Sequence, residues 1–243
     1  DKPKIEYEIK SGDTATQMYT SGTTGYPKGV VWRNLTLQRF ALDNMKDITI
    51  PMLPRLVATA PGSMFQAIGS VISLPSLGKL LSDNSTRRFV KSLPTAVLRE
   101  TIEILWPLIY DIFPIITGGR INVLFTSPLM HAWGYGMTWI WSSTGMSSVY
   151  LTSRSFDANE VWETVEREKI NIINIIGDAQ CRPMVDALDR KHYDASSLFV
   201  LLASGMPTSP DVKRRILDHI PHLLFLDALA SSEALGISIE PST

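Results

Sequence analysis

Residues 170–176 read INIINII, and this run decides the class of fold. It holds five isoleucines, and a β-branched run of this kind is typical of a strand buried on both faces of a sheet. Shorter apolar runs at 123–126, 148–152, 198–203 and 222–226 also predict strands. Because helical patterns separate these runs, we predict an α/β fold with right-handed crossovers and a mostly parallel sheet.

The helices between these strands carry recognisable start signals. Asp157 is predicted to cap a helix whose apolar positions are Val161, Trp162 and Val165. Ser209, which a proline follows, is predicted to cap a later helix. The other helices of this half are predicted over 134–143 and 179–188.

The first half of the chain is less regular. Two short strands are predicted at 16–20 and 29–32. Prolines interrupt the pattern repeatedly between residues 48 and 120. Within that stretch we expect two helices, over 64–81 and 95–113, but no assignment to a known motif.

Residues 104–116 form a very apolar run. The run is shorter than the roughly 20 residues that a membrane span needs, and Pro107, Asp111 and Pro114 interrupt it. We favour a buried helix. The sharper alternatives are a wall of an acyl-binding tunnel or a patch, over about residues 98–116, that contacts a membrane surface.

The composition narrows the class of protein. The chain has 243 residues, of which 44% are hydrophobic and 19% charged, as in a globular protein with a substantial core. Its net charge of −1 gives no reason to expect nucleic-acid binding. Cys181 is the only cysteine, which favours a reducing, cytoplasmic location, and we expect it to be a small buried hydrophobe rather than a nucleophile.

Residues 20–29 read TSGTTGYPKG, a composition suited to a polyphosphate. Glycines let the backbone N–H groups approach a phosphate, hydroxyls donate hydrogen bonds, and Lys28 supplies a mobile positive charge. The spacing is not that of a Walker A loop, in which the lysine directly follows a glycine and a hydroxyl comes next. A plain hairpin turn is improbable on length, because such turns use two to five residues.

Four polar segments follow predicted strands. They are Ser21–Lys28, Ser127–His131, Ser204–Pro207 and Ser231–Glu233. In a parallel sheet, ligands bind where the carboxyl ends of the strands emerge. The four segments are therefore predicted to face one crevice.

Residues 19–30, YTSGTTGYPKGV, resemble the phosphate-binding signature of the adenylate-forming superfamily, which comprises acyl-CoA synthetases, luciferases and peptide-synthetase adenylation domains. The WR pair at 32–33 resembles the fatty-acyl-CoA synthetase branch. Three further segments resemble that family in the same order: SPLMH at 127–131, ASGMP at 203–207 and LASSE at 229–233. GDAQCRP at 177–183 resembles a stretch of bacterial acyl-CoA synthetases.

This resemblance implies a fold and a reaction. The fold would be part of the large N-terminal domain of an adenylate-forming enzyme. The reaction would be attack of a fatty-acid carboxylate on the α-phosphate of ATP, followed by displacement of AMP by the thiol of coenzyme A. Positioning and charge neutralisation dominate the first step, and Mg²⁺ would assist it.

The resemblance also implies roles for individual residues. Lys28, Ser232 and Glu233 would be catalytic, with Glu233 as the Mg²⁺ ligand. His131 and Gly205 would border the acid substrate. The residues that would bind ATP are Thr20, Ser21, Gly22, Thr23, Thr24, Gly25, Lys28, Gly205, Met206, Pro207, Ser231 and Ser232.

Each role has a structural alternative. His131 taken alone reads as an ordinary residue at a helix start, and Glu233 as a solvated carboxylate in a first turn. Asp178 is expected to be structural. Leu229 and Ala230 depart from the family, which usually has an aromatic residue and a glycine there, and this departure weakens the expected adenine contact.

The whole chain, residues 1–243, is expected to be a fragment of an AMP-binding domain, with an unassigned helical segment at about 37–120. The small C-terminal domain and its lysine would lie beyond Thr243, so the fragment alone is expected to be inactive. The alternatives are a degenerate, non-catalytic ATP- or acyl-binding module and another adenylate-forming ligase.

Overall fold

The computed structural model describes residues 10, 12–20, 26, 28–39, 60, 62–94, 96–97, 100–101, 104–105, 115, 119–229, 231 and 238–242. The strands in these residues are β1 (Thr14–Thr20), β2 (Lys28–Arg33), β3 (Asn122–Phe125), β4 (Ser147–Tyr150), β5 (Ile172–Ile176), β6 (Val200–Ser204), β7 (Leu224–Leu229) and β8 (Ser238–Ser242). The helices are α1 (Asn34–Arg39), α2 (Gly62–Val71), α3 (Pro75–Ser82), α4 (Asn84–Ser92), α5 (Ala132–Ser143), α6 (Ala158–Glu168), α7 (Gly177–Arg190) and α8 (Pro210–His219).

The main sheet has the strand order β4-β3-β5-β6-β7-β8. The first five strands are parallel, and β8 is antiparallel to β7 at the edge. The predicted mostly parallel α/β sheet is thus confirmed. The isoleucine-rich run forms β5, which has parallel neighbours on both sides, as its composition predicts.

One face of the sheet packs against α6, α7 and α8. Ile173 and Ile175 of β5 point to this face, together with Val161, Trp162 and Val165, the positions predicted for α6. All five side chains are fully buried. The indole Nε1 of Trp162 donates to the Met184 carbonyl at 2.9 Å, which satisfies the polar atom of a buried tryptophan.

Two local features set the ends of α6, an N-terminal cap and a left-handed residue at the C-terminus. The Asp157 carboxylate accepts a hydrogen bond from the Asn159 N–H at 2.8 Å, so the predicted cap is confirmed. At the other end Lys169 adopts a left-handed conformation with φ of 48°, and the chain turns back into the sheet at Ile170.

The opposite face of the sheet packs against α5, α2 and the β1–β2 hairpin. Val123 and Phe125 of β3 and Ile172 of β5 lie on this face. Met18 and Trp32, one from each strand of the hairpin, are buried in the same cluster. The hairpin is therefore attached to the sheet on the side that α5 covers.

The single helix predicted over 64–81 is instead two helices, α2 and α3. The chain reverses between them at Ser73, which has a φ of 59°. Gly69 and Gly78 meet where the helices cross: a Cβ on Gly69 would lie 2.7 Å from the Gly78 Cα. The spacing of apolar residues gives no sign of the reversal, because both helices direct apolar side chains into the same core cluster.

Helix α4 was not predicted from the sequence. Its N-cap is Asp83, whose carboxylate accepts hydrogen bonds from the N–H groups of Ser85 and Thr86 at 2.9 and 3.0 Å. These hydrogen bonds lower the pKa of the Asp83 carboxyl, chiefly the bond from Thr86.

Most of the helix predicted over 95–113 lies outside the described residues. Those described at 96–97, 100–101 and 104–105 are helical. Ile104, Leu105 and Ile115 are exposed, Ile104 by 78%, so the preferred interpretation of 104–116 as a buried helix is wrong for these residues. Among the helices that the structure describes, none is both long and apolar enough to cross a membrane.

Candidate functional site

The predicted phosphate loop connects the two strands of a β-hairpin. Strands β1 and β2 are antiparallel, and Thr20 pairs with Lys28, so the two ends of the loop meet. The expectation that this loop follows a strand of the parallel sheet is therefore wrong, as is the rejection of a hairpin on length. Consecutive strands with a short connection can only pair antiparallel, whatever the loop contains.

The described ends of this loop are exposed. The Tyr26 side chain is 94% exposed and that of Tyr19 69%, and Lys28 is also exposed. Gly29 lies against Gln17 on the paired strand, because a Cβ there would come within 2.4 Å of the Gln17 Nε2. Ser21 to Gly25 and Pro27 lie outside the described residues.

The predicted adenine-binding turn follows β6 and is held against the start of α7. Gly205 has a φ of 83°, a conformation that favours glycine. A Cβ on Gly177 would lie 2.1 Å from the Met206 carbonyl oxygen, so only glycine fits at the start of α7. The Asp178 N–H donates to the Pro207 carbonyl at 3.2 Å. The turn therefore has its backbone fixed by α7.

Asp178 links α7 to the start of α8. Its carboxylate accepts from the Ser209 N–H at 2.8 Å, from the Ser209 hydroxyl, and from Arg182 at 3.1 Å. Burial alone would raise the pKa of Asp178, but the hydrogen bonds from Ser209 and Arg182 hold it below its usual value. Asp178 is structural, as expected. Ser209 occupies the predicted cap position, but its hydroxyl donates to Asp178 and makes no capping bond in α8.

Gln180 ties together the carboxyl ends of β3 and β5. Its Oε1 accepts from the Thr126 hydroxyl at 2.6 Å and from the Ile176 N–H at 2.8 Å. Its Nε2 donates to the Thr126 carbonyl at 3.0 Å. Gln180 lies inside the GDAQCRP segment, but its role was missed because sequence spacing gives no signal for a contact across 54 positions.

His131 stands immediately before α5, with an exposed side chain. Its N–H donates to the Pro128 carbonyl at 3.1 Å, which closes the turn after β3. Gly134 packs on the same turn, since a Cβ there would lie 2.5 Å from the Pro128 oxygen. The Trp133 Nε1 donates to the Ile175 carbonyl at 3.2 Å, and this bond fixes the start of α5 over β5.

The last predicted segment follows β7. Leu229 ends this strand with 60% of its side chain exposed, and it pairs with Ser238 of β8. Ser231 is half-buried. Ala230, Ser232 and Glu233 lie outside the described residues, so their predicted roles remain predictions.

Three of the four predicted segments are brought to one edge of the sheet. Ser127–His131, Ser204–Pro207 and Ser231 follow parallel strands β3, β6 and β7 at their carboxyl ends. His131 and the Gly205 turn are thus at the same edge as predicted. The hairpin with Thr20 and Lys28 belongs to a separate sheet on the face that α5 covers.

Cys181 does not contribute chemistry to this edge. Its side chain is fully buried. Burial raises the pKa of its thiol to about 12, and the carboxylates of Asp178 and Asp227 act in the same direction. The thiolate is therefore not accessible near neutral pH, as expected for a small buried hydrophobe.

In the part of the chain that the structure describes, no three histidine, cysteine or acidic side chains converge in a way that would hold a metal ion. The predicted Mg²⁺ ligand, Glu233, is not in that part. The Mg²⁺ site therefore stays a prediction.

The model of the family described as AMP-binding enzyme matches residues 1–77 and 101–243. A medium/long-chain-fatty-acid–CoA/3-oxocholest-4-en-26-oate–CoA ligase of Mycobacterium tuberculosis (strain CDC 1551 / Oshkosh) is 27% identical over 95% of this chain and 32% of its own length. A 3-oxocholest-4-en-26-oate–CoA ligase of Rhodococcus rhodochrous is 29% identical over 95% of this chain and 33% of its own length.

A crystal structure of a long-chain-fatty-acid-CoA ligase from Archaeoglobus fulgidus superposes with a TM-score of 0.57. It is 18% identical, and the match covers 94% of this chain and 34% of that one. This likeness shows a shared fold. The chain spans about a third of the length of the relatives it matches.

Proposed function

Because this chain belongs to the AMP-binding enzyme family, we propose that it contributes the nucleotide-binding part of a fatty-acid–CoA ligase. In the proposed reaction a fatty-acid carboxylate oxygen attacks the α-phosphate of ATP and pyrophosphate leaves. The thiol of coenzyme A then attacks the acyl carbon and releases AMP. The names of the relatives support a carboxylic acid as the substrate class.

The single observation that carries this proposal is the fixed turn after β6. Gly205 is held in a left-handed conformation, and Gly177 and Asp178 clamp the backbone of the next two residues. Such a turn presents its backbone to a ligand at the carboxyl edge of a parallel sheet, where nucleotides bind in open α/β folds. We assign Gly205, Met206 and Pro207 to the adenine side of ATP, and Gly205 also to the acid.

We assign the β1–β2 loop to the β- and γ-phosphates. Thr20, the residues up to Gly25 and Lys28 would supply N–H groups, hydroxyls and one positive charge. The antiparallel pairing of Thr20 with Lys28 supports this role because it brings the backbone of Lys28 back beside that of Thr20, so both ends of the loop lie together.

The remaining roles fall on the segments after β3 and β7. His131 would border the acid substrate at the start of α5. Ser232 would contact the α-phosphate, and Ser231 would also bind ATP. Glu233 would hold Mg²⁺, a hard cation that suits carboxylate and phosphate oxygens.

The proposal also covers the extent and location of the domain. Residues 1–243 would form part of the AMP-binding domain, including the helical segment at about 37–120, of which only residues 78–100 fall outside the family match. The adenylation lysine would come from a separate C-terminal domain. We propose a cytoplasmic protein that contacts a membrane surface near residues 98–116, which the exposed Ile104, Leu105 and Ile115 support.

A non-catalytic ATP-binding module is the second candidate. The observation that favours it is Leu229, an exposed aliphatic residue where an aromatic ring would cover adenine. A module of this kind would bind ATP, but it would not catalyse pyrophosphate exchange even when a C-terminal domain is supplied.

The test is calorimetric titration of the folded chain with ATP and Mg²⁺. We expect Lys28→Ala to weaken ATP binding about 10-fold to 100-fold, as for the loss of a charged hydrogen bond. Lys10→Ala, an exposed lysine just before β1, is the control and should bind like the wild type. Absence of ATP binding by a chain that unfolds cooperatively on heating, or equal loss in both variants, would contradict the proposal.

A further inference from the structure

Asn174 lies in the middle of β5, and its side chain is fully buried. Neither polar atom of its amide has a hydrogen-bond partner among the described residues. Burial of an unpaired amide opposes folding, and isoleucine occupies every other position of this strand. An asparagine here therefore calls for an explanation other than stability.

Asn174 points to the face of the sheet that α5 and the β1–β2 hairpin cover. Ile172 lies on this face and Ile173 on the other, and side chains alternate along a strand. The Cα partners of Asn174 are Phe125 on β3 and Leu202 on β6. Both partners are buried in the core cluster on the α5 side. Asn174 is thus a polar side chain within an apolar layer.

A second buried polar side chain lies on the neighbouring strand. Ser204 follows Leu202 by two residues in β6, so it points to the same face. Its Cα partner is Ile176, which follows Asn174 by two residues. The Ser204 hydroxyl is also buried without a hydrogen-bond partner among the described residues. The two side chains are therefore diagonal neighbours, with Ser204 closer to the carboxyl edge of the sheet.

Both side chains lie below the part of this edge to which the acid substrate is assigned. Ser204 immediately precedes Gly205, and α5 begins directly after His131. The half-buried Trp133 of α5 donates to the backbone carbonyl that follows Asn174 in β5, at 3.2 Å. The start of α5 therefore lies over Asn174. An acid whose carboxylate lies between His131 and Gly205 would extend its chain past both polar side chains as it runs beneath α5.

From this arrangement we propose that the acid substrate carries a hydroxyl group that hydrogen-bonds to Asn174 and Ser204. The inference rests on the proposed function, because it concerns the acid of that reaction. An unsubstituted alkyl chain leaves both side chains unpaired, and an oxo group would supply only an acceptor. A hydroxyl is both donor and acceptor, as the two unpaired atoms of the amide require.

The depth of Asn174 limits the position of this hydroxyl. Asn174 is two residues from the end of β5, which corresponds to about 7 Å along the strand. With the carboxylate at the edge, the hydroxyl would lie a few carbons along the chain rather than at its far end. The substrate class is therefore a medium-chain or longer acid that is hydroxylated in its carboxyl-proximal half.

The test is calorimetric titration of the folded chain, without ATP, with decanoate and with hydroxydecanoates that carry the hydroxyl at successive carbons. We expect one hydroxydecanoate to bind at least about fivefold more tightly than decanoate, as for one added hydrogen bond. The oxo acid with the same substitution position should bind less tightly than this hydroxy acid, because it cannot donate.

Three variants identify the groups responsible. Asn174→Leu should invert the preference, with tighter binding of decanoate and at least about fivefold weaker binding of the hydroxy acid. Ser204→Ala should reduce the preference without inverting it. Asn159→Leu makes the same replacement at an exposed position of α6, which packs on the opposite face, and should keep the wild-type preference. A purely structural role of Asn174 would change the affinity for both acids alike.

Other results would overturn the inference. Equal binding of decanoate and every hydroxydecanoate, or tighter binding of the oxo acid, would remove the hydroxyl from the substrate. An unchanged preference in Asn174→Leu would remove the asparagine from the site. If ATP binds but none of the acids does, the inference fails while the nucleotide-binding part of the proposed function stands. If Asn174→Leu does not fold, Ser204→Ala and the wild-type preference decide the question.

Discussion

Asn171 and Asn174 lie three residues apart, just before β5 and in its middle, and both are buried. The side-chain amide of Asn171 is hydrogen-bonded, whereas that of Asn174 is not. The Asn171 side chain accepts from the Asn122 N–H at 2.8 Å and donates to the Ser197 carbonyl at 3.1 Å. Both amide atoms of Asn174 are buried without a hydrogen-bond partner. The two asparagines of the INIINII run therefore have different energetic roles.

We expect leucine substitutions at these two positions to change stability with opposite signs. Asn171→Leu leaves the part-buried N–H of Asn122 and the part-buried carbonyl of Ser197 without this partner and should lower the free energy of unfolding by about 2–4 kcal/mol. Asn174→Leu removes two unsatisfied polar atoms and should leave stability unchanged or raise it by about 1 kcal/mol. Urea denaturation measures both. A loss at position 174 as large as that at 171 would contradict the assignment.

A second prediction concerns the link between α7 and α8. Asp178→Ala removes the acceptor for the Ser209 N–H and hydroxyl and should lower the free energy of unfolding by about 1–3 kcal/mol. Asp211→Ala is the control, because Asp211 makes an exposed ion pair with Arg182 at 3.5 Å and its removal should cost less than about 1 kcal/mol. Urea denaturation measures both free energies of unfolding. Similar decreases in the two variants would show that Asp178 contributes no more to stability than a surface carboxylate.

A third prediction tests the clamp on the turn after β6. Gly177→Ala places a Cβ against the Met206 carbonyl and must displace the turn or the helix start, so it should destabilise the chain and weaken ATP binding by at least tenfold. Gly12→Ala is the matched control. A Cβ there would meet only the end of the Arg33 side chain at 3.9 Å, and stability should stay within about 0.5 kcal/mol of the wild type or rise slightly. Calorimetry and thermal unfolding measure both effects, and normal ATP binding by the alanine variant at 177 would contradict the proposed role of the turn.

The parallel sheet could be predicted because its strands carry their own signal. The β-branched run of β5 and the apolar positions of α6 specify burial through composition and period alone. Strand β8 reads SIEPS and has no such signal. It is an edge strand, where a proline is tolerated and pairing comes from the neighbouring strand rather than from its own side chains.

Three of the failures have one physical cause, which is contact between segments that are separate in the sequence. The two strands around the phosphate loop were predicted, but not that they pair with each other. The division of 64–81 depends on a reversal at Ser73 and on the contact of Gly69 with Gly78, neither of which alters the apolar pattern. Likewise, the order of motifs located the candidate site, whereas the Gln180 bridge that fixes its strand ends depends on three-dimensional contact.

The fourth prediction concerns pH. Hydrogen bonds from Ser153 and Thr152 lower the pKa of the Glu160 carboxyl to about 2, from a usual 4.5. A carboxyl with a depressed pKa contributes stability that is fully present above its usual value and is lost as pH falls through the folded value. The stability difference between wild type and Glu160→Gln should therefore be constant above pH 5 and shrink between about pH 4.5 and pH 2.

Urea denaturation at a series of pH values measures this difference. Glu166→Gln, an exposed glutamate on the same helix, is the control for a general effect of charge. The prediction is contradicted if the stability difference for Glu160→Gln stays constant down to pH 2. It is also contradicted if Glu166→Gln shows the same pH dependence, because the hydrogen bonds from Thr152 and Ser153 would then not be its cause.

The last prediction separates the phosphate loop from the hairpin that carries it. Because Thr20 and Lys28 are directly paired, residues 21–27 can be replaced by a two-residue Asn-Gly turn without changing the register of β1 and β2. Met18 and Trp32 would still anchor the hairpin in the core, so the free energy of unfolding should stay within about 1 kcal/mol of the wild type. ATP binding, measured by calorimetry, should fall by at least tenfold because the hydroxyls and glycines are gone. A shortened chain that binds ATP normally would remove the loop from the site, and one that fails to fold would show that the loop is structural.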